Sequence, residues 1–280
     1  MHIDTTSGEF DRTYISLGAG VQSTALYVAS ALGLHGVPPA GIAVFADTGD
    51  EPQWVYDQLD SLEDWGRENG GAEIRRVQKG VLSEWTIQRQ RDGKRFVSVP
   101  LYTASASGDK EGMLRRQCTR EFKIEPIEKE VRRWLGYKPR QHVKEAVRAM
   151  LGITVEEATR MKSSRTRWVT NTWPLVDAGL TRSHCRRIVT DAGLPEPKKS
   201  SCVYCPYHSD AFWRLLRDEH PEEFQKAVEF DEQVRDMTMG GVDRPAFVHR
   251  SCVPLSEAPL DGDEDQGGLF DAECEGMCGV

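Results

Sequence analysis

The feature that most constrains the fold is a glycine-rich stretch, SLGAGVQSTAL, at residues 16–26. A short β-prone run, RTYISL, precedes it, and STALYVASALGL follows it with apolar residues at helical spacing from Leu26 to Leu32. The glycines therefore lie where a strand passes into the N-terminus of a helix. Amide groups at such an end have no partner within the helix and the helix dipole is positive there, so this geometry favours an anion.

The loop itself leaves several interpretations open. A Walker loop is excluded because the stretch contains no lysine. A dinucleotide-binding loop would place Gly18, Gly20 and Ser23 in its G-x-G-x-x-G positions, with the third glycine missing, and Asp47 would bind a ribose at the end of the next strand. That interpretation predicts an NAD-type Rossmann oxidoreductase. Two more interpretations are a plain turn and a loop that, lacking a lysine, binds a nucleotide's phosphates through its serine and threonine hydroxyls.

Hydrophobic periodicity predicts alternating strands and helices along the chain. Together they predict an α/β fold with a doubly wound parallel sheet, which binds ligands at the carboxyl ends of its strands. The loops at 18–23 and 47–52 lie at such ends. Strands are predicted at 13–17, 41–46 and 72–77, and helices at 23–34, 53–68, 82–91, 120–135, 155–162, 182–192 and, in pieces, 210–236.

Length and composition set the domain organisation. With 280 residues, of which 39% are hydrophobic, the chain is expected to bury one core and to carry a smaller appendage. We expect a nucleotide-binding domain at 1–200, a Cys-motif and helical extension packed on it at 201–253, and a flexible acidic tail at 254–280 that ends in CEGMCGV. A polar stretch at 103–112 predicts a mobile loop. Without a long apolar run or a signal-peptide pattern, a cytoplasmic protein is expected.

Charge is distributed unevenly along the chain. The net charge is −8, yet residues 113–200 hold about 20 Lys and Arg against about 10 Asp and Glu, so this segment is near +10. A cluster of basic residues on an acidic protein suggests an anionic ligand, either phosphates or a tRNA or DNA backbone. The alternative is a solvated helical face, because IEPIEKEVRRWLG interleaves both signs at helical spacing.

The seven cysteines indicate metal or redox chemistry, because their number is odd and no signal peptide is recognisable. Cys202 and Cys205 form a C-x-x-C that suits one metal. Cys118 lies among arginines and Cys185 lies in the first turn of a predicted helix, and both settings lower the pKa of a thiol. Four thiolates suit either zinc or a 4Fe-4S cluster. For Cys252 we expect a small buried hydrophobe.

In their order, the motifs of this chain resemble the PP-loop superfamily and, within it, the branch of phosphoadenylyl-sulfate (PAPS) and adenylyl-sulfate (APS) reductases. The matching pieces are SLGAGVQSTAL, FADTGDEP, RQCTREFKIEPI, SSCVYC and AECEGMCGV, which together span residues 13–280. The resemblance implies a PP-loop α/β fold with a Cys-rich C-terminal extension. It also implies an adenylyl nucleotide as ligand, which is PAPS, APS or ATP with Mg²⁺.

The resemblance assigns roles to particular residues. The glycine loop would hold phosphate or sulfate, and the end of the second strand would border the adenosine. Gln22 stands where the ATP-pyrophosphatase members carry aspartate. The implied nucleotide-binding residues are Ser16, Gly18, Ala19, Gly20, Gln22, Ser23, Thr24, Phe45, Asp47 and Thr48.

The cysteines both follow the family and depart from it. Cluster-bearing members use a cysteine pair and a late C-x-x-C, but here Cys118 is followed by Thr119, so Cys185 is proposed as the substitute. The predicted metal ligands are therefore Cys118, Cys185, Cys202 and Cys205, for a 4Fe-4S cluster with zinc as the alternative.

The tail suggests the chemistry of a sulfonucleotide reductase. Cys274 on a flexible tether can attack sulfur, and Cys278 can resolve the product as a disulfide that a thiol reductant such as thioredoxin reopens. Electrostatic relief of the leaving group is predicted from Lys123, Arg160, Lys162 and Arg165.

Two further function classes stay open. One is an ATP-dependent sulfurtransferase that thiolates a tRNA or DNA base with sulfur from a donor. The other is a nucleotide-binding sensor without turnover.

Overall fold

A computed structural model describes residues 12–93, 98–105, 110–235, 238–239 and 242–261. Its strands are β1 (Arg12–Leu17), β2 (Ile42–Asp47), β3 (Glu73–Gln78), β4 (Tyr102–Ala104), β5 (Lys110–Met113), β6 (Val147–Leu151), β7 (Val169–Thr172), β8 (Thr238–Met239), β9 (Val242–Asp243) and β10 (Ala246–Phe247). Its α-helices are α1 (Val21–Leu32), α2 (Gln53–Asn69), α3 (Leu82–Arg91), α4 (Glu125–Trp134), α5 (Pro174–Asp177), α6 (Arg182–Asp191), α7 (Asp210–Glu219) and α8 (Pro221–Val234). A π-helix covers Thr119–Ile124, and 3-10 helices cover Leu34–Gly36, Val155–Arg160 and Leu255–Glu257.

The central sheet contains five parallel strands in the order β3-β2-β1-β6-β7. The chain first moves from β1 outward through β2 to β3, and it later returns to add β6 and β7 on the other side of β1. The strand order therefore reverses between β1 and β6. Open α/β sheets bind their ligands outside the carboxyl ends of the strands at such a reversal.

Helices cover both faces of this sheet, because β2 is apolar on both sides. Ala43 and Phe45 belong to the apolar cluster that contains helices α1, α2 and α6. Ile42 and Val44 alternate with them and belong to the cluster that contains α4. A strand that is buried on both faces has a continuous apolar sequence, and the first five residues of IAVFAD form such a run.

The C-terminal part of the described chain is fastened to α8 by one buried carboxylate. Asp231 accepts hydrogen bonds from the backbone amides of Val248, at 2.8 Å, and Leu255, at 3.0 Å. Burial raises the pKa of Asp231, and these two bonds oppose the rise. Strand β10, which precedes Val248, pairs with β4 in a small antiparallel sheet of order β10-β4-β5.

The prediction of an α/β chain with a parallel sheet is confirmed in its general form. Strands β1, β2 and β3 begin and end within one residue of the predicted bounds, and α2, α3 and α6 lie where they were expected. The helix predicted at 120–135 is a π-helix continued by α4, and the helix predicted at 155–162 is a short 3-10 helix. The segment 210–236 is divided at Pro221, which begins α8.

Strands β6 and β7, two of the five strands of the central sheet, were not predicted. Each has only four or five residues, so VRAML and VTNT are too short to show a clear apolar alternation, although Gly152 follows β6 and Pro174 follows β7 closely. The predicted loop at 103–112 needs correction, because β4 and β5 occupy its two ends. Most of the predicted tail, including Cys274 and Cys278, lies outside the described residues. No helix within the described ranges is long and apolar enough to cross a membrane.

The predicted boundary at residue 200 stays a prediction. Val203, Tyr204 and Trp213 follow that boundary, and they lie in the same apolar cluster as helix α1.

Close packing of α2 against α1 generates a stability prediction. A Cβ atom at Gly66 would lie 2.2 Å from the Tyr27 hydroxyl oxygen, which donates a hydrogen bond to the carbonyl of Ala72 at 2.7 Å. We expect Gly66→Ala to lower the free energy of unfolding by about 1–3 kcal/mol, although alanine is the better helix former. In a Tyr27→Phe background the loss should shrink because the clashing oxygen is absent. Urea denaturation of the four proteins measures both losses, and equal losses would mean that the hydroxyl is not the source of the clash.

Candidate functional site

The carboxyl ends of β1 and β6 form a crevice at the reversal of strand order. The glycine loop at 18–20 follows β1, and residues 152–154 follow β6 before the 3-10 helix at Val155–Arg160 begins. Helix α1 starts directly after the loop, with Gly20 as its N-cap residue and with no side-chain cap. The positive end of α1 therefore lies at the place where this fold class binds ligands.

The glycine loop holds its shape through local contacts. Ala19 has φ +58°, in the left-handed region that alanine rarely adopts, and it is buried. The Gly18 amide donates to Ser23 Oγ at 3.2 Å, and this hydroxyl donates to the Gly20 carbonyl at 3.3 Å. Backbone strain of this kind persists where the surroundings fix it, and it concentrates at functional sites.

Gln22 crosses the crevice from the first turn of α1. Its side chain is 1% exposed, and Nε2 donates to Glu157 Oε2 at 3.0 Å. Arg160 pairs with the other oxygen of Glu157. The Gln22 Oε1 atom is buried and has no hydrogen-bond partner within the part of the chain that the structure describes. A buried acceptor left without a donor costs free energy, so its presence in this crevice is consistent with a ligand that supplies the donor.

Other predicted nucleotide-binding residues lie near the carboxyl ends of β1 and β2, but their side chains differ in burial and in contacts. Ser16 and Thr24 are buried beside the loop, and the Phe45 side chain lies in the apolar core on the α1 side. Asp47 is half-buried at the end of β2, where Oδ1 accepts from the Gly49 amide at 2.7 Å and from the Tyr56 hydroxyl at 3.0 Å.

A second polar cluster lies at the end of β2. Thr48 Oγ1 donates to Glu51 Oε1 at 3.3 Å, and Lys123 Nζ donates to the same oxygen at 3.4 Å. The Lys123 and Glu51 side chains are only 8% and 0% exposed, so this ion pair is buried. Thr48 Oγ1 also lies 3.1 Å from Cys202 Sγ, at hydrogen-bond distance. A carboxylate, an ammonium group, a hydroxyl and a thiol thus share one buried site.

Two irregular segments bring these side chains together. The π-helix at Thr119–Ile124 carries Lys123 inward and follows directly after Cys118. Such helices are rare and frequently mark functional sites. The C-x-x-C turn is held from the other side, because the Val203 amide donates to the Asp50 carbonyl at 2.9 Å and Tyr204 donates to Asp50 Oδ2 at 2.5 Å.

Burial dominates the titration of this second cluster. It raises the pKa of the Cys202 thiol well above its ordinary value; the charge of Glu51 adds to this and that of Lys123 opposes it. Burial also raises the pKa of Tyr204, and the charges of Cys202 and Asp50 raise it further. Cys202 is therefore a neutral thiol at neutral pH in the protein as described.

The four predicted metal ligands lie on three segments of the structure. Cys202 and Cys205 form the C-x-x-C turn, where the Cys205 amide donates to the Cys202 carbonyl at 3.0 Å, and Cys118 directly precedes the π-helix that carries Lys123 into the second cluster. Cys185 lies in the first turn of α6, buried in the cluster that contains α1. Across the residues that the structure describes, no three His, Cys, Asp or Glu side chains are grouped to hold a metal ion.

The four predicted cations also separate. Arg160 lies beside the glycine loop through its pairing with Glu157, whereas Lys123 lies in the second cluster. Lys162 and Arg165 are exposed on the segment that leads from the 3-10 helix to β7.

Sequence reasoning missed several residues of this edge. Glu51 lies within the quoted FADTGDEP motif, two residues beyond Gly49, so the motif could have been used to predict it as a site residue. Glu157 and Gln58 had none, because they reach the loop only through the folding of distant segments.

Compared with known proteins, the chain matches none of the protein-family models and none of the curated sequences.

The buried pair in the second cluster generates a coupling prediction. We expect Lys123→Met to lower the free energy of unfolding by about 3 kcal/mol, because it leaves the buried Glu51 carboxylate without this cation. The double variant Lys123→Met/Glu51→Gln should lose less than the sum of the two single losses. Chemical denaturation of the unaltered protein, the two single variants and the double variant measures the four free energies of unfolding that this double-mutant cycle requires. Additive losses would mean that the two side chains are not coupled.

Proposed function

We propose that this chain is an adenylyl-nucleotide enzyme of the PAPS reductase-like kind, within the PP-loop superfamily. The observation that carries the proposal is the crevice between β1 and β6. It joins the uncapped N-terminus of α1, a strained glycine loop and the buried Gln22 Oε1 atom without a donor. Anionic groups bind at helix N-termini of this kind, and no lysine is needed for that.

The adenosine of the nucleotide would lie toward the end of β2. Asp47 and Thr48 border that side of the glycine loop, because β1 and β2 are neighbouring strands. Arg160 would stabilise the anion that leaves when the nucleotide reacts, since its guanidinium already lies beside the loop in its pairing with Glu157. Lys123 would act from the second cluster. Lys162 and Arg165 are the remaining candidates for this role.

The proposed chemistry is reduction of a sulfonucleotide by tail thiols. The Cys274 thiolate attacks the sulfur atom, the sulfur–oxygen bond breaks, and the electron pair leaves with the nucleotide phosphate. The Cys278 thiolate then attacks the Cys274 sulfur and releases sulfite. Two thiols are oxidised to one disulfide while the sulfo group is reduced to sulfite, so electrons balance, and a thiol reductant such as thioredoxin restores the tail.

An ATP-dependent sulfurtransferase acting on tRNA or DNA is the second candidate. The observation that favours it is the exposure of Lys162, Arg165 and Arg167 on the segment that leaves the crevice. Exposed cations beside the site would hold a phosphate backbone and would make binding salt-dependent. In that reaction ATP, with Mg²⁺, adenylylates a carbonyl oxygen of the base and releases pyrophosphate. A cysteine persulfide, loaded by a sulfur donor, then displaces AMP, and a second cysteine thiol attacks the S–S bond, which leaves sulfur on the base and a disulfide on the protein.

The predicted 4Fe-4S cluster, with zinc as the alternative, is a further proposal. Cys202 and Cys205 form one turn, and the π-helix that follows Cys118 carries Lys123 into the cluster that contains Cys202; this arrangement is consistent with thiolate ligation from these two segments. Cys185 would supply the fourth thiolate from the start of α6. A bound cluster would add a charged group beside the site and tune the electrostatics there.

One set of assays tests the nucleotide proposal. Protein purified without oxygen should bind AMP and should release sulfite from PAPS or APS in the presence of a thiol reductant. Pyrophosphate release from ATP that requires RNA would favour the sulfurtransferase instead. Gly20→Val should abolish nucleotide binding, because a side chain at the N-cap blocks close approach to the backbone. Gly20 has φ −88° and ψ 179°, which valine adopts easily, so the fold should survive.

Two controls accompany these assays. Thermal unfolding must show that Gly20→Val remains folded. NADH serves as the competing ligand, and tight NADH binding would favour the dinucleotide-binding interpretation. Unchanged AMP affinity in Gly20→Val would favour the interpretation of the loop as a plain turn.

The cluster proposal has its own test. Anaerobically purified protein should be brown and contain iron, and Cys202→Ala should lose that iron. Cys252→Ala is the matched control, because Cys252 is buried in a small apolar cluster with Tyr102 and Phe247 and should keep full iron content. Stoichiometric zinc without iron would overturn the iron assignment, and full iron in Cys202→Ala would overturn the ligand assignment.

A further inference from the structure

The segment from Lys198 to Cys202 spans the gap between the loops that follow β1 and β2. Gln58 joins its start to the glycine loop: Nε2 donates to the Ala19 carbonyl at 2.8 Å, and Oε1 accepts from the Lys198 amide at 2.6 Å. The other end is fixed by Cys202 Sγ, 3.1 Å from Thr48 Oγ1. We call residues 198–202 the bridging segment.

The bridging segment contains two hydroxyl groups that no atom of the described residues satisfies. Ser200 and Ser201 are each 2% exposed, and the Oγ atom of each is buried without a hydrogen-bond partner. A buried hydroxyl without a partner costs about 1–3 kcal/mol by protein mutational data. Two consecutive residues with this defect are unusual in a folded core.

The bridging segment begins with two lysines, Lys198 and Lys199. The Lys198 ammonium lies 5.4 Å from the ring centroid of Trp54, and the Lys199 ammonium lies 5.1 Å from that of Phe212. The Lys199 carbonyl accepts a hydrogen bond from Trp54 Nε1 at 3.0 Å, which fixes the backbone immediately before the serines. Two hydroxyl donors that directly follow two lysines in the chain suit an oxyanion.

We propose that Ser200 and Ser201 contact a second phosphate or sulfo group of the nucleotide, separate from the group held by the glycine loop. This inference rests on the proposed function and extends it to a ligand with two anionic groups. The glycine loop and the N-terminus of α1 hold the first group from one side. The bridging segment holds the second from the side of β2, and Gln58 sets the spacing between the two.

Three full-length variants test the assignment: Ser200→Ala, Ser201→Ala and their combination. AMP, ADP and adenosine 3′,5′-bisphosphate are titrated by calorimetry. The combined variant should bind AMP as the unaltered protein does. It should bind at least one of the two doubly phosphorylated nucleotides about tenfold or more weakly, because a hydrogen bond to a charged group is lost. The nucleotide that responds identifies the second group as a β-phosphate or a 3′-phosphate.

A stability measurement separates this role from a merely structural one. Removing an unsatisfied hydroxyl, as Ser→Ala does, leaves the free energy of unfolding unchanged or raises it. Thr86→Val is the matched control, because Thr86 Oγ1 is also buried without a partner among the described residues but belongs to α3 and not to the bridging segment. It should behave the same way in unfolding and should leave every nucleotide affinity unchanged.

The outcomes distinguish the two proposals. If the unaltered protein binds none of the three nucleotides, the proposed function and this inference both fail. If it binds them and the serine variants bind both doubly phosphorylated nucleotides as tightly as the unaltered protein, the proposed function stands and the inference fails. A loss that is equal for AMP and for the doubly phosphorylated nucleotides also overturns it, because the serines would then serve the first group or the fold.

Discussion

The carboxylate of Asp50 is the contact on which the arrangement of this edge depends. It accepts from the Ser83 amide and hydroxyl, both at 2.8 Å, and from the Tyr204 hydroxyl at 2.5 Å, while its own carbonyl accepts from Val203. Asp50, three residues after the end of β2, thereby caps the start of α3 and holds the C-x-x-C turn. Burial raises the pKa of Asp50, and the bonds from Tyr204 and Ser83 oppose that rise.

Local signals in the sequence were enough to predict the fold class and the positions of several strands and helices. The glycine loop, the first three strands and helices α2, α3 and α6 each carry their own periodicity or turn residues, so each could be located from a short window. The strands β6 and β7 could not, because a four-residue strand is specified mainly by the neighbours it pairs with. The β6 side of the crevice therefore could not be predicted from the sequence.

The residues of the candidate site likewise fall into two groups, those that a motif predicted and those that only the folded chain brings together. Gln22 and Ser23 were predicted because they belong to the loop motif, and Cys202 because it belongs to a C-x-x-C. The partners that give these residues their surroundings are Glu157 and Gln58, which are distant in sequence and carry no motif. A motif can therefore indicate that a site exists, but its electrostatics depend on contacts that only the folded chain creates.

The most informative residues of this edge are those that the fold leaves in unfavourable states. Ala19 has a left-handed backbone, and Gln22, Ser200 and Ser201 have buried polar atoms without partners. Each state lowers stability, and the well-packed parallel sheet beneath them tolerates the loss. Strain and unsatisfied polarity that converge on the carboxyl ends of β1 and β2 are expected when a ligand completes the hydrogen bonding, because the same atoms then gain partners only in the complex. That is why replacing the two serines should separate affinity from stability, whereas replacing a core residue would lower both.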